Sequence, residues 1–166
     1  MAVRGESVVL RPATSGDVAE VAEIWRSGWA DAHLGTLPES LEVLRTPESF
    51  DLRAAERIDG VVVAAVNGKV AGFVLVVEDE IEHIYVAREQ RGGGISAVLL
   101  AEAQSIVAAN GHDRAWLAIV AGNDRLRAHY ERVGWQDEGP MEYPACGAGE
   151  PIPVRCHRYA KKLLRG

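Results

Sequence analysis

Apolar residues along this chain recur at two spacings, and the changes between them divide it into elements. Val8-Val-Leu-Arg-Pro12 predicts a short opening strand closed by proline. Thr14, with Asp17 three residues on, has the form of a capping box, so the first helix starts there. Val18, Val21, Ala22, Trp25 and Trp29 make one apolar stripe along it, and His33 comes one turn later near its end. Gly35-Thr36-Leu37-Pro38 breaks this pattern, and the stretch through Leu41 to Leu44 fits a short helical piece. Thr46-Pro47-Glu48 starts another helix, which runs through Phe50 to about Arg57 and ends at Asp59-Gly60. The period then becomes two. Val61 to Val66 and Val70 to Val77 read as strands joined by Asn67-Gly68, the strongest two-residue hairpin signal. Glu78-Asp79 turns the chain into a third strand, Glu80 to Val86. Alternation there puts Glu80, Glu82, Ile84 and Val86 on one face and Ile81, His83 and Tyr85 on the other.

The helical period returns after Arg91-Gly92-Gly93-Gly94, with Ile95, Val98, Leu99, Glu102 and Ile106 at or near one side, and stops at Asn110-Gly111. Arg114 to Val120 reads as a buried strand. Asn123 caps a helix through Tyr130 that Gly134 closes, and Trp135 opens another strand. The Gly- and Pro-rich stretch from Gly139 to Pro153 predicts a long loop, and Val154 to about Leu163 a last strand. A meander succeeded by helix, strand and helix argues for an α/β fold with a mixed sheet. With no internal repeat or linker, residues 1–166 are expected to form a single domain.

Gln90-Arg91-Gly92-Gly93-Gly94-Ile95-Ser96 carries the most chemical information. Glycines between a strand and a helix let the backbone approach a ligand and turn free N–H groups toward it. The first helical turn adds unpaired N–H groups and the positive end of its dipole. Together these make a phosphate or pyrophosphate cradle, to which Arg91 can add a charge; a plain flexible connection is the alternative. The hairpin meander before the helix does not fit a dinucleotide-binding βαβ unit, and no Gly-x-x-x-x-Gly-Lys is present, which disfavours nicotinamide and nucleoside triphosphate ligands.

Composition narrows the classes further. Eighteen basic against 24 acidic residues give a net charge of −6, which argues against bulk attraction to nucleic acid or an anionic membrane and leans weakly toward cationic acceptors. No signal-like run opens the sequence, and no apolar stretch approaches the roughly 20 residues of a membrane span, so a cytoplasmic protein is expected. Cys146 and Cys156 lack metal-type spacing and read as reduced thiols. The five histidines stand singly, so no metal site is expected.

The stretch Val86-Ala-Arg-Glu-Gln-Arg-Gly-Gly-Gly-Ile-Ser-Ala-Val-Leu-Leu100 resembles motif A of the GNAT acetyltransferases, Arg/Gln-x-x-Gly-x-Gly/Ala, with Arg91, Gly94 and Ser96 at the motif positions. Serine stands where Gly or Ala is usual. Asn123-Asp-Arg-Leu-Arg-Ala-His-Tyr130-Glu-Arg-Val-Gly134-Trp135 is similar to the family's Asn…Tyr-Glu-x-x-Gly-Phe segment, with Trp135 in the place of Phe. The resemblance runs from about Val8 to Leu163. It implies a mixed, mostly antiparallel central sheet flanked by helices, with two cofactor strands splayed apart, here Glu80–Val86 and Arg114–Val120.

The resemblance further implies an acetyl-CoA-dependent N-acetyltransferase in which an amine attacks the thioester directly. Backbone groups of Ile84, Tyr85 and Val86 would hold the pantetheine arm. N–H groups from Arg91 through Gly92, Gly93, Gly94, Ile95 and Ser96 would take the pyrophosphate, and the Asn123 side chain would bind near the acyl arm. Tyr130 resembles the general acid, against the alternative of a core aromatic. Glu82 is the candidate base or water-relay member because it shares the face of Ile84; Glu80 and a water chain compete with it. Trp29 and His33 are candidates for lining the acceptor pocket, and Trp29 also reads as core. The expected acceptor is a small-molecule amine, and homodimers are frequent in the family. A non-catalytic acyl-CoA-binding sensor, a protein N-terminal or lysine acetyltransferase, and a phosphate-ligand domain unrelated to CoA remain alternatives.

Overall fold

The computed structural model describes residues 7–33, 37–145 and 150–163; Gly35, Thr36 and Cys146 lie outside them. Strand β1 (Val8–Pro12) passes through a single 3-10 turn, Ser15–Asp17, into helix α1 (Val18–His33). The Asp17 carboxylate accepts from the Thr14 N–H at 2.8 Å and from Arg11 at 2.7 and 3.1 Å, tying the strand end to the helix start. Two helices come next, the short α2 (Glu39–Glu42) and α3 (Pro47–Arg57), which opens on a Thr46 cap that accepts from the Ser49 N–H.

Strands β2 (Val61–Val66), β3 (Lys69–Val77) and β4 (Glu80–Val86) form the expected meander. Asn67 and Gly68 at the first turn both have positive φ, 53° and 77°, as a type I′ hairpin requires. Helix α4 (Ile95–Ala109), strand β5 (Arg114–Val120), helix α5 (Asp124–Arg132) and strands β6 (Gln136–Ala145) and β7 (Ile152–Lys162) complete the order. Where a long loop is expected from Gly139 to Pro153, β6 and β7 pair antiparallel from Gln136↔Ala160 to Ala145↔Ile152. The prolines are accommodated because β6 is the sheet's edge strand, and Pro153 lies beyond the part of β7 that pairs with β5.

The seven described strands are ordered β1-β2-β3-β4-β5-β7-β6, and every pair is antiparallel except β4–β5. One face packs on α1 and α3 through Trp25, Phe50 and Phe73, and the other on α4 and α5 through Ile95, Leu99 and Tyr130. The buried stripe of α4 is Ile95, Leu99, Leu100, Ala103 and Val107. This corrects the expected stripe, since Val98, Glu102 and Ile106 are only half-buried at its margin. Gly72 of β3 lets α4 lie close on the sheet, because a β-carbon there would stand 2.8 Å from the Leu99 side chain.

Candidate active site

Strands β4 and β5 begin together and then part. Their ladder contains one pair, Glu80↔Trp116. Trp116 fixes this vertex twice, its backbone N–H donating to the Asp79 carbonyl at 3.0 Å and its indole Nε1–H to the Asp79 carboxylate at 3.1 Å. Beyond the vertex, β5 stays paired with β7 along its length while β4 stays paired with β3. A wedge therefore opens between two otherwise well-held strands, and the edge of β4 facing it, including Ile84, Tyr85 and Val86, has no strand partner among the described residues.

A bulge produces the divergence. Leu75 pairs with His83 but Val76 pairs with Ile81, which makes Glu82 the extra residue. The inserted residue overturns the expected alternation of faces. Ile81 packs with Ile84 and Val86 in the α4 core, while His83 and Tyr85 meet the α1 side. Glu82 thus does not share Ile84's face; its carboxylate accepts from Arg57 of α3 at 2.9 Å. Glu80, at the vertex, accepts from the Tyr143 hydroxyl of β6, and burial raises its pKa above the usual carboxylate range.

The wedge widens into a cavity of about 370 Å³. Tyr130 forms part of its wall, carried there by α5, whose first turn is capped by the Asn123 side-chain oxygen accepting from the Leu126 N–H at 3.2 Å. The ring packs edge-on against Trp135, 5.6 Å between centroids, just after Gly134 closes the helix at φ 96°. Tyr130 is only 5% exposed, and its hydroxyl makes no hydrogen bond among the described residues. Burial, and the Tyr85 phenol beside it, push its pKa well above the ordinary value; Tyr85 itself is pushed up to about 12 by burial. Both phenols therefore keep their protons at neutral pH.

The glycine-rich turn lies beyond the C-terminal end of β4. Gly92 and Gly94 are left-handed, at φ 81° and 93°, a region open to glycine at little cost. The Arg91 and Gly93 N–H groups donate within the turn, to Arg88 and Gln90 carbonyls at 3.3 Å. The N–H groups of Gly92 and Gly94 have no partner among the described residues, and those of Ile95 and Ser96 open the helix without an intrahelical one. These four fit a pyrophosphate. The Arg91 guanidinium is engaged elsewhere, by Asp31 of α1 at 2.7 Å and the Val86 carbonyl at 3.2 Å. Arg88 grips the same Asp31 at 2.7 and 2.8 Å, and the two guanidiniums hold its carboxyl far below the usual range. The motif arginine closes the turn onto α1.

Trp29 and His33 both line the cavity, and Trp29 also belongs to the core, its ring tilted against Phe50 with centroids 5.8 Å apart. Burial lowers the pKa of His33 to about 4. The wall contains residues that were not among the site candidates read from the sequence: Arg45, Arg53 and Arg57, Trp25, Tyr143 and Cys156. The spacing of Arg53 and Arg57, four apart on one helix, was the available signal; Tyr143 lay in the expected loop. Asn123 stands outside this wall, its carboxamide oxygen occupied by the cap and its NH₂ donors left over. Among the described residues, no group of three or more His, Cys, Asp or Glu side chains could hold a metal ion.

The sequence model of the acetyltransferase (GNAT) family matches residues 20–135. No curated protein matches the chain. Solved structures that share the fold include PaiA N-acetyltransferase from Thermoplasma acidophilum in complex with coenzyme A, at 18% identity and TM-score 0.72, covering 94% of this chain and 99% of that one. YncA from Salmonella typhimurium with its cofactor acetyl-CoA matches at 18% identity and TM-score 0.68 over 96% of both chains. Ribosomal-protein-alanine N-acetyltransferase from Brucella melitensis matches at 24% and 0.67, over 93% of this chain and 99% of that one. At these identities the likeness is one of fold.

Proposed function

The chain belongs to the acetyltransferase (GNAT) family, and on that premise we propose that it transfers an acetyl group from acetyl-CoA to the primary amine of a small molecule. The observation that carries the reading is the wedge: a one-pair vertex, a β4 edge unpaired among the described residues, four N–H groups beyond it that have no partner among the described residues, and a buried phenol in its wall. The unpaired edge at Ile84, Tyr85 and Val86 suits an amide-bearing arm, and Gly92, Gly94, Ile95 and Ser96 suit a pyrophosphate. Acetyl-CoA held there supplies a thioester already activated toward acyl transfer. A cavity of about 370 Å³ favours a small acceptor over a folded protein surface.

The acceptor nitrogen attacks the thioester carbonyl; the C–N bond forms as the C–S bond breaks. An alkyl ammonium of pKa about 10.4 must first lose one proton, which goes to solvent, and the nitrogen loses a second as the amide forms, which passes to Glu82 directly or through water. Tyr130 gives its proton to the departing sulfur, the task for which a protonated phenol is suited. Solvent then returns a proton from one side of the site to the other. Tyr130→Phe tests the assignment. Thiol release should fall roughly 100-fold in kcat, while acetyl-CoA affinity, read by calorimetry, stays within about twofold. A variant as fast as the parent would remove Tyr130 from the mechanism. A parent that binds acetyl-CoA but acetylates no amine would favour the sensor reading.

A further inference from the structure

The sheet face beside the wedge changes character just past the vertex. At the vertex it is charged: Arg158 of β7 leans over the Trp116 ring, 4.2 Å from its centroid, and is held by Glu138 at 3.0 Å. Along β5 toward the opening of the wedge the same face continues with Ala118 and Val120. Register extends this row across the sheet, since Val120 pairs with Cys156 of β7, Cys156 with Met141 of β6, and Val154 with Tyr143. These residues form one apolar cluster, which Leu41 of α2 closes from the helix side. No described member of the cluster is charged. Burial pushes the Cys156 thiol up to about 11, so it behaves as a small apolar group, and the Tyr143 hydroxyl is spent on Glu80.

Ala118, Val120, Tyr143, Val154, Cys156 and Leu41 also line the cavity, so the cluster is one wall of the space that Glu82 and Tyr130 share. Of these six, Ala118, Val120 and Tyr143 are only half-buried. The charged side chains around the cavity are engaged within the protein. Glu82 accepts from Arg57 at 2.9 Å, Glu80 accepts from Tyr143, and Arg53 lies over the Trp25 ring, 4.5 Å from its centroid. Arg45 and Arg53 have further interactions of their own. What the wall offers an acceptor beside the wedge is therefore apolar surface.

We propose that the acceptor is a primary amine with an apolar body, an alkyl or arylalkyl amine, its nitrogen turned toward Glu82 and its body on the β5–β7–β6 floor beneath Leu41. The inference rests on the acetyltransferase reading and adds the chemistry of the acceptor's substituent. Covering half-buried apolar side chains with an apolar body removes both surfaces from water, which is favourable in proportion to the area. A second ammonium or a hydroxyl at the far end of the acceptor would instead be desolvated against a floor with no described group to receive it, which is costly. The floor thus works against the polycationic acceptors toward which net charge leans, because a pocket responds to its own wall rather than to the molecular sum.

The test pairs turnover with binding on the full chain. Thiol release from acetyl-CoA is measured with straight-chain amines from ethylamine to hexylamine, each longer one set beside its ω-hydroxy and ω-amino counterparts. Thermal protection is measured in parallel with the N-acetyl forms of the same compounds in the presence of CoA. In the alkyl series kcat/KM should rise about fourfold for each methylene laid on the floor. Hexylamine should exceed its two polar counterparts tenfold or more, and its N-acetyl form should protect where theirs do not. Val154→Phe fills the floor and should lower the hexylamine-to-ethylamine ratio of kcat/KM about tenfold. Leu41→Ser, on the four-residue helix α2, should lower the same ratio and serves if Val154→Phe does not fold. Turnover without preference for the apolar body, or a ratio that neither variant changes, overturns the proposal and leaves the acetyltransferase reading intact. Protection by the apolar N-acetyl forms without any turnover upholds the apolar site and overturns the acetyltransferase reading. No turnover and no protection overturns both.

Discussion

Glu80 and Glu82 are two residues apart on one strand, yet the bulge between their neighbours gives them different surroundings. Glu80 sits at the vertex where β4 and β5 are still paired, held by the Tyr143 hydroxyl and raised in pKa by burial. Glu82 is the residue at which β4 leaves the ladder, and Arg57 fixes its carboxylate facing the cavity. A proton acceptor for an amine entering the wedge belongs at the opening rather than at the closed apex. Glu82→Gln keeps an oxygen for Arg57 but cannot take a proton, so it should lower kcat roughly 100-fold with acetyl-CoA affinity unchanged. Glu80→Gln keeps the Tyr143 contact and should cost less than about tenfold. Initial rates of thiol release for the two variants decide it; the reverse order would move the base to Glu80.

At the scale of elements, the close contact between α1 and β4 shapes the cavity wall, and Gly28 permits it. A β-carbon at Gly28 would overlap the Tyr85 ring. Alanine in a helix interior gains up to about 1 kcal/mol over glycine. Overpacking against a buried ring costs about 1–3 kcal/mol, and Tyr85 has little room to yield between Phe73 and His83. Gly28→Ala should therefore lower stability in urea unfolding by about 1–2 kcal/mol net, and a neutral or stabilised variant would show that Tyr85 moves freely. The start of α1 depends on Asp17, whose carboxyl is held at about 2 by the Arg11 hydrogen bonds first and then by the Thr14 N–H. A depressed acid stabilises above its unfolded pKa, near 3.8, and loses that contribution as pH falls toward 2. Asp17→Asn should cost about 2 kcal/mol at pH 7, with the difference vanishing near pH 2. Most of these elements were legible in the sequence: the Thr14–Asp17 box, the Asn67-Gly68 turn and the Asn123 cap are local signals with local causes. The bulge was not, because Glu-Ile-Glu-His-Ile-Tyr-Val satisfies a period of two and only the register against β3 shows the extra residue. The β6–β7 pair was hidden for a related reason, since Pro140, Pro144 and Pro153 are tolerated only by virtue of which edges lack partners.

For the molecule as a whole, charge and histidine placement are set by contacts distant in sequence. The glycine turn and Tyr130 announce themselves in contiguous motifs; Arg45, Arg53 and Arg57 do not, because only the packing of α3 against α1 and β4 brings them to the cavity. The same packing buries His33 and His83 neutral. A histidine whose folded pKa is depressed contributes stability fully above its unfolded pKa near 6.5 and loses it as pH falls through the folded value. For His33 that value is about 4, so about 3 kcal/mol is lost between pH 6.5 and 4, and His83 acts in the same direction. Glu80 opposes them, since a raised carboxyl gains stability as pH falls. The two histidines should outweigh it, and urea unfolding should show stability falling across this window. His33→Gln removes most of one proton from the linkage: its stability-against-pH slope near pH 5.5 should be shallower than the parent's by about 1.2 kcal/mol per pH unit. Parallel slopes would mean that His33 takes up its proton equally in the folded and unfolded chains, and that the acid response of the fold arises elsewhere.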